Sequence, residues 1–79
     1  MVLGVLRFKI KELISKKSFN ENRRITIGEV AEETGVSRVT LSKMANQRGY
    51  NTVTDNLDKL CIYFDCEVSE LVEFVQAEK

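Results

Sequence analysis

The chain has no histidine and no proline, and only four glycines and two cysteines among its 79 residues. Without histidine, neither a Ser-His nor a Cys-His nucleophilic pair can be assembled, which removes that route to covalent catalysis. Cys61 and Cys66, with no further Cys or His, cannot supply the four ligands of a structural zinc site. Cys61 also falls on an apolar stripe, where a thiol acts as a small buried hydrophobe. No glycine-rich phosphate loop and no paired-carboxylate constellation is present. These absences predict no catalytic residue, no metal site, no cofactor and no small-molecule ligand: the chain reads as a non-enzyme.

Long apolar runs are also missing. The MVLGV start and Leu6 end at Arg7, too short for a membrane span and without the basic lead and cleavage site of a signal peptide. The expectation is a cytoplasmic protein with no membrane partner. The lack of proline and scarcity of glycine leave the periodic segments uninterrupted, which favours an all-α fold. At this length there is room for one domain, residues 1–79, with one modest core. An apolar content of 43 % and a charged content of 30 % are ordinary for such a domain.

An excess of either charge is absent overall, since twelve Lys and Arg balance twelve Asp and Glu. The distribution is uneven. Residues 1–48 hold ten basic residues against five glutamates, and residues 49–79 hold two lysines against seven acids. One face can therefore attract phosphates while the other is repelled by them, which orients an encounter with nucleic acid.

Along the chain, Leu3, Leu6, Ile10, Leu13 and Ile14 recur at helical spacing and predict a first helix of about four turns. Residues 16–24, KKSFNENRR, read as a charged loop. Thr26 and Glu29 form a capping box, in which each side chain takes the other's backbone amide, and Ile25 with Val30 stand as a hydrophobic staple. Ile27, Val30 and Ala31 form the inner face of the helix so marked. Gly35 ends it where a left-handed residue is needed, and Ser37 caps the next. Val36, Leu41, Met44 and Ala45 face inward there, leaving Arg38, Val39, Thr40, Ser42, Lys43, Asn46 and Gln47 outward. That outer face has no glutamate and suits the reading of base edges: Arg pairs with guanine, Asn or Gln with adenine, and Val39 meets a thymine methyl. After a turn at Gly49 to Thr52, the residues Val53, Leu57, Leu60, Cys61 and Phe64 mark a core helix capped by Thr52 or Thr54. Val68, Leu71, Val72 and Val75 mark a last helix, with Phe74 off its stripe.

The segments RFKIKELISKK, TIGEVAEETGVSRVTLSKMAN and NLDKLCIYFDCEVSELV together resemble a Cro/phage-repressor type (XRE-like) helix-turn-helix domain in its short stand-alone form, from about Leu6 to Leu71. Ala31, Gly35 and Val36 stand at the motif's fifth, ninth and tenth positions. The resemblance implies a compact five-helix lambda-repressor-like domain, with the helix-turn-helix of residues 26–48 formed by helices 2 and 3. It implies that the helix over 37–47 enters the major groove. Base-contact candidates are then Arg38, Val39, Thr40, Ser42, Lys43 and Asn46, and phosphate-contact candidates are Thr26, Gly28, Ser37, Gln47 and Arg48. The chain departs from the family's usual pattern in having Ile27 where a glutamine is frequent, a longer 16–24 loop, and a late glycine, Gly49, after the reading helix.

The functional expectation is a sequence-specific double-stranded DNA-binding transcriptional regulator, a repressor, working as a homodimer on a palindromic operator. The alternative is a protein-interaction or antitoxin-like module that retains the helix-turn-helix fold, with Phe74, Tyr50 and the Met1 to Val5 segment as docking positions.

Overall fold

The computed structural model describes residues 3–77. Within that span the all-α expectation is corrected at both ends. Leu3–Phe8 is a strand, β1, and Val72–Ala77 is a second strand, β2. They pair antiparallel in an unbroken register, with Val5 opposite Val75, Leu6 opposite Phe74, Arg7 opposite Glu73 and Phe8 opposite Val72. Leu3, Leu6 and Ile10 do fit a helical stripe. However, Leu6, Phe8 and Ile10, separated by Arg7 and Lys9, fit a period of two equally well, and so short an apolar run does not discriminate between the two. The partner strand, 66 residues away at the Arg7–Glu73 pair, decides the matter.

Five helices lie between the strands: α1 at Ile10–Glu21, α2 at Ile27–Thr34, α3 at Arg38–Asn46, α4 at Thr54–Phe64 and α5 at Val68–Leu71. The charged stretch expected to be a loop over 16–24 is helical as far as Glu21. Asn22 ends α1 in the left-handed conformation, φ 53°, which Asn tolerates better than most residues. Its short polar side chain suits that role, and the real loop is only the few residues up to Thr26. Ser18 Oγ accepts the Ile25 amide at 3.1 Å and ties that loop back to α1.

Among the described residues ten buried side chains form one core: Phe8 from β1, Ile10 and Leu13 from α1, Val30 from α2, Leu41 and Met44 from α3, Leu60 from α4 and Leu71 from α5, with Ile25 and Val36 from the connections and Val72 of β2 half-buried against it. Ile25 and Val30 are both in it, as the staple requires. Along α4 the expected stripe holds at Leu60, with Leu57, Cys61 and Phe64 half-buried against the core, but Val53 is exposed. Neither Thr52 nor Thr54 caps α4. Val53 occupies the cap position without a side-chain bond, and the Thr52 hydroxyl instead accepts from Asn56 at 2.9 Å. Cys61 is half-buried rather than buried. Burial pushes the neighbouring Cys66 thiol up to about 11, keeping it protonated near neutrality.

The expected last helix stops after one turn. Asp65 closes α4 in the left-handed region, the Cys66 amide reaches back to the Cys61 carbonyl at 3.0 Å, and α5 ends at Leu71. From Val72 the backbone is extended, φ −120°, because that direction lays the segment alongside β1. Phe74 is exposed, as its place off the stripe suggested.

Candidate nucleic-acid interface

The site is built from two caps and a glycine hinge. At the start of α2 the Glu29 amide donates to Thr26 Oγ1 at 3.1 Å, which satisfies one of the otherwise unpaired donors of the first turn. The reciprocal half of the capping box is not formed: the Glu29 carboxylate is held by Arg23, with Nη1 donating to Oε1 at 3.0 Å and Nη2 to Oε2 at 2.7 Å. A two-pronged bond from a guanidinium outcompetes one neutral amide. Arg23 also reaches Glu21, which is paired with Lys17 at 2.7 Å. Arg23 thereby holds the Glu29 carboxyl below its ordinary value of 4.5, and Lys17 does the same for Glu21. These two basic residues of the 16–24 segment are thus neutralised within the chain, joining the end of α1 to the start of α2.

At the hinge, Gly35 has φ 83° and its amide donates to the Ala31 carbonyl at 2.9 Å. A Cβ there would touch nothing within 4 Å, so glycine is required by its backbone angle alone. The Thr34 hydroxyl donates to the Val30 carbonyl at 2.7 Å and accepts the Val36 amide at 3.1 Å. Ser37 then caps α3, its Oγ accepting the Thr40 amide at 3.1 Å. Val36, Leu41 and Met44 anchor the inner side of α3 in the core, which sets the rotation of the helix and so decides which residues face out.

That outward face carries Arg38, Val39, Ser42, Lys43 and Asn46, all exposed, with Val39 64 % accessible. Thr40 is half-buried and its hydroxyl accepts from Ser37 Oγ at 2.9 Å. The Asn46 amide group is turned back along the helix, donating to the Ser42 carbonyl at 2.8 Å. Among the described residues no carboxylate lies within ion-pairing distance of Arg38, Lys43 or Arg48, whereas Arg7, Lys17, Arg23 and Lys59 are all paired.

The starts of α2 and α3 converge. The Arg38 guanidinium and Thr26 Oγ1 each lie 3.7 Å from where a Cβ on Gly28 would sit, and a shallow groove runs between the helices past Gly28, Gly35 and Ser37. Thr26, Gly28, Ser37 and Arg38 therefore share one edge of the site. The reading helix expected over 37–47 is regular from Arg38 to Asn46, with Ser37 and Gln47 as its caps. Gln47 is already extended, φ −117°, and the turn containing Arg48 is pinned where the Gly49 amide donates to the Leu6 carbonyl of β1 at 3.0 Å. Ile27 is half-buried against the core, in keeping with its inner-face position.

Two helices joined by a left-handed glycine, each capped by a hydroxyl and with the second presenting free cations, define a helix-turn-helix of the DNA-binding class. A family model for the Cro/C1-type HTH DNA-binding domain matches residues 17–77, and the chain belongs to that family. The match includes β2 as well as the motif and bears out the resemblance read from the sequence. No curated protein and no solved structure matches the chain.

Proposed function

We propose that the protein is a sequence-specific transcriptional repressor that acts in the cytoplasm as a homodimer on a palindromic DNA operator, each copy placing α3 in the major groove. The observation that carries this reading is the outward face of α3: exposed donors, acceptors, one apolar side chain and two cations, with no carboxylate among them. A merely solvated helix face mixes both charges. Arg38, Val39, Thr40, Ser42, Lys43 and Asn46 are assigned to bases, and Thr26, Gly28, Ser37, Gln47 and Arg48 to phosphates. In the free protein the Thr40 hydroxyl and the Asn46 amide group are engaged locally, so those two must turn to reach a base. A single copy makes few phosphate contacts. Dimerisation roughly doubles them and brings two reading helices about 34 Å apart, one helical turn of DNA.

The test is selection from a randomised duplex pool at low and moderate salt, followed by sequencing of the retained DNA. Enrichment of a palindrome whose affinity falls steeply with salt is expected. Absence of retention even at low salt overturns the reading in favour of a protein-interaction module. With the enriched site in hand, Arg38→Ala should weaken binding by about 1 to 3 kcal/mol and relax preference at one base pair, whereas Arg48→Ala should weaken all sequences alike. Uniform loss in both variants removes Arg38 from the base-reading set.

A further inference from the structure

The turn between α4 and α5 brings the chain's two cysteines together. Asp65 is left-handed, φ 53°, and around it the Cys66 amide donates to the Cys61 carbonyl at 3.0 Å while the Asp65 amide donates to the Ile62 carbonyl at 3.2 Å. This pair of bonds is the Schellman close of a helix, in which the side chains at the two ends of the longer bond pack together. Apolar residues ordinarily fill both places. Here both are thiols.

The backbone bond limits how far apart the two residues stand. The Cys66 Cα is about 1.5 Å from its own nitrogen and the Cys61 Cα about 2.4 Å from its carbonyl oxygen, so a 3.0 Å bond between them holds the Cα atoms within about 7 Å. Bends at the bonded atoms shorten that span into the range, roughly 4.4 to 6.8 Å, that a disulfide bridges. The side chains also meet, since the Cys66 thiol has the Cys61 thiol as a hydrogen-bonding partner. Each is half-buried, and both line one open surface groove together with Asp65, Glu67 and Glu70. Among the described residues no third Cys, Asp or Glu completes a metal site with them.

We infer that Cys61 and Cys66 form a reversible intramolecular disulfide site, closed by thiol–disulfide exchange with a small, uncharged disulfide. This goes beyond the DNA-binding reading and does not rest on it. Cys61, as the thiolate, attacks one sulfur of the reagent and expels one thiolate, leaving a mixed disulfide. Cys66 gives up its proton to the expelled thiolate, attacks the Cys61 sulfur and expels the second thiolate, which takes the proton that Cys61 had released to water. The two cysteines thereby lose two electrons and two protons, and the reagent is reduced to two thiols.

The order of attack follows from the surroundings. Burial keeps Cys66 protonated, so the first attack falls to Cys61 and Cys66 resolves the mixed disulfide. The carboxylates of Asp65, Glu67 and Glu70 repel an anionic reagent from the groove and leave an uncharged one unopposed. In a reducing compartment such a pair stays as thiols and closes only under oxidative load. Closed, it ties the end of α4 to the segment that runs through α5 into β2. It then stabilises the fold that positions it.

The experiment equilibrates the full chain, native and in urea, with set ratios of hydroxyethyl disulfide and mercaptoethanol, traps remaining thiols with iodoacetamide and weighs the products by mass spectrometry. The native protein is expected to close as a single chain two hydrogens lighter, reversed by dithiothreitol. It should do so at an oxidant level roughly tenfold lower, or more, than the unfolded chain requires, because the folded turn holds the thiols together. By linkage, the oxidised chain should unfold at a higher urea concentration than the reduced one. A double variant, Cys66→Ser with Glu67→Cys, moves the second thiol one residue past the turn and should need roughly tenfold more oxidant than the native pair. Closure as ready in the unfolded chain as in the native one, or as ready in the shifted pair, overturns the site. Mixed disulfides that never close, or cross-links between chains in place of the internal bond, overturn it as well.

Discussion

The helix-turn-helix and the terminal ribbon differ in how far apart their determinants lie. In the motif, each structural decision is made within a few residues: Thr26 with Glu29, Thr34 with Val36, Gly35 with Ala31, Ser37 with Thr40. In the ribbon, Arg7 meets Glu73 and Leu6 meets Phe74 from opposite ends of the chain. The two regions use glycine for opposite reasons. Gly35 is needed for its positive φ and has empty space where a side chain would go, whereas a Cβ on Gly4 would meet the Phe74 ring and, at 2.7 Å, the Val75 carbonyl oxygen. One glycine answers to its own backbone, the other to a strand that arrives some seventy residues later.

This contrast can be broken by mutation. The largest effect is expected for Gly4→Ala, because the carbonyl oxygen it meets is backbone and cannot swing aside. A loss of about 1 to 3 kcal/mol in urea unfolding is expected. Hydrogen exchange should accelerate at the ladder amides of Val5, Arg7, Glu73 and Val75, while α3 stays protected. Equal loosening of α3 would show that ribbon and motif form one cooperative unit.

Gly35→Ala comes next, at about 1 to 2 kcal/mol, the cost of a left-handed backbone for a residue with a Cβ. It should loosen the α2–α3 junction and lower DNA affinity without touching the ribbon. If it is neutral, the hinge can be closed some other way and the local account of the motif fails.

The smallest effect concerns acid stability. The Glu29 carboxyl, held by Arg23, has a folded pKa below its ordinary 4.5, so the unfolded chain takes up that proton first as pH falls. The stability contributed by the pair is therefore present above about pH 4.5 and is lost as pH drops through the lowered folded value. Arg23→Ala should be less stable than the wild type at neutral pH, and the two unfolding curves should converge in acid. Because the pair is exposed, the difference should also shrink with added salt. A gap that stays constant down to the acid limit would show that Arg23 acts by packing rather than by charge.

Most of the motif was legible because its signals are short-range and redundant. The Thr26 cap, the Ile25–Val30 staple, the Gly35 hinge and the Ser37 cap are all in place, and the inward residues of α3 are the ones the spacing indicated. Two of the departures come from a partner outside the local pattern: Glu29 left its reciprocal cap bond for Arg23, and the last helix gave way at Val72 to a strand paired with β1. A third is local: α1 ran on through the charged 16–21 stretch, where Lys17 and Glu21 pair one turn apart. Of the docking positions, Phe74 and Tyr50 sit at the ribbon and at the turn beside β1, while Met1 and Val2 lie outside the described residues.

By itself, the amino-acid sequence determined the helix-turn-helix, its caps, its hinge and the glutamate-free face of α3, because hydrogen bonds between near neighbours and a 3.6-residue period need no knowledge of the rest of the chain. Only the tertiary structure decided that Leu3–Phe8 and Val72–Ala77 form a sheet and, among the described residues, which cations are neutralised and which have no carboxylate partner, because strand pairing and ion pairing are settled by what each segment meets in space.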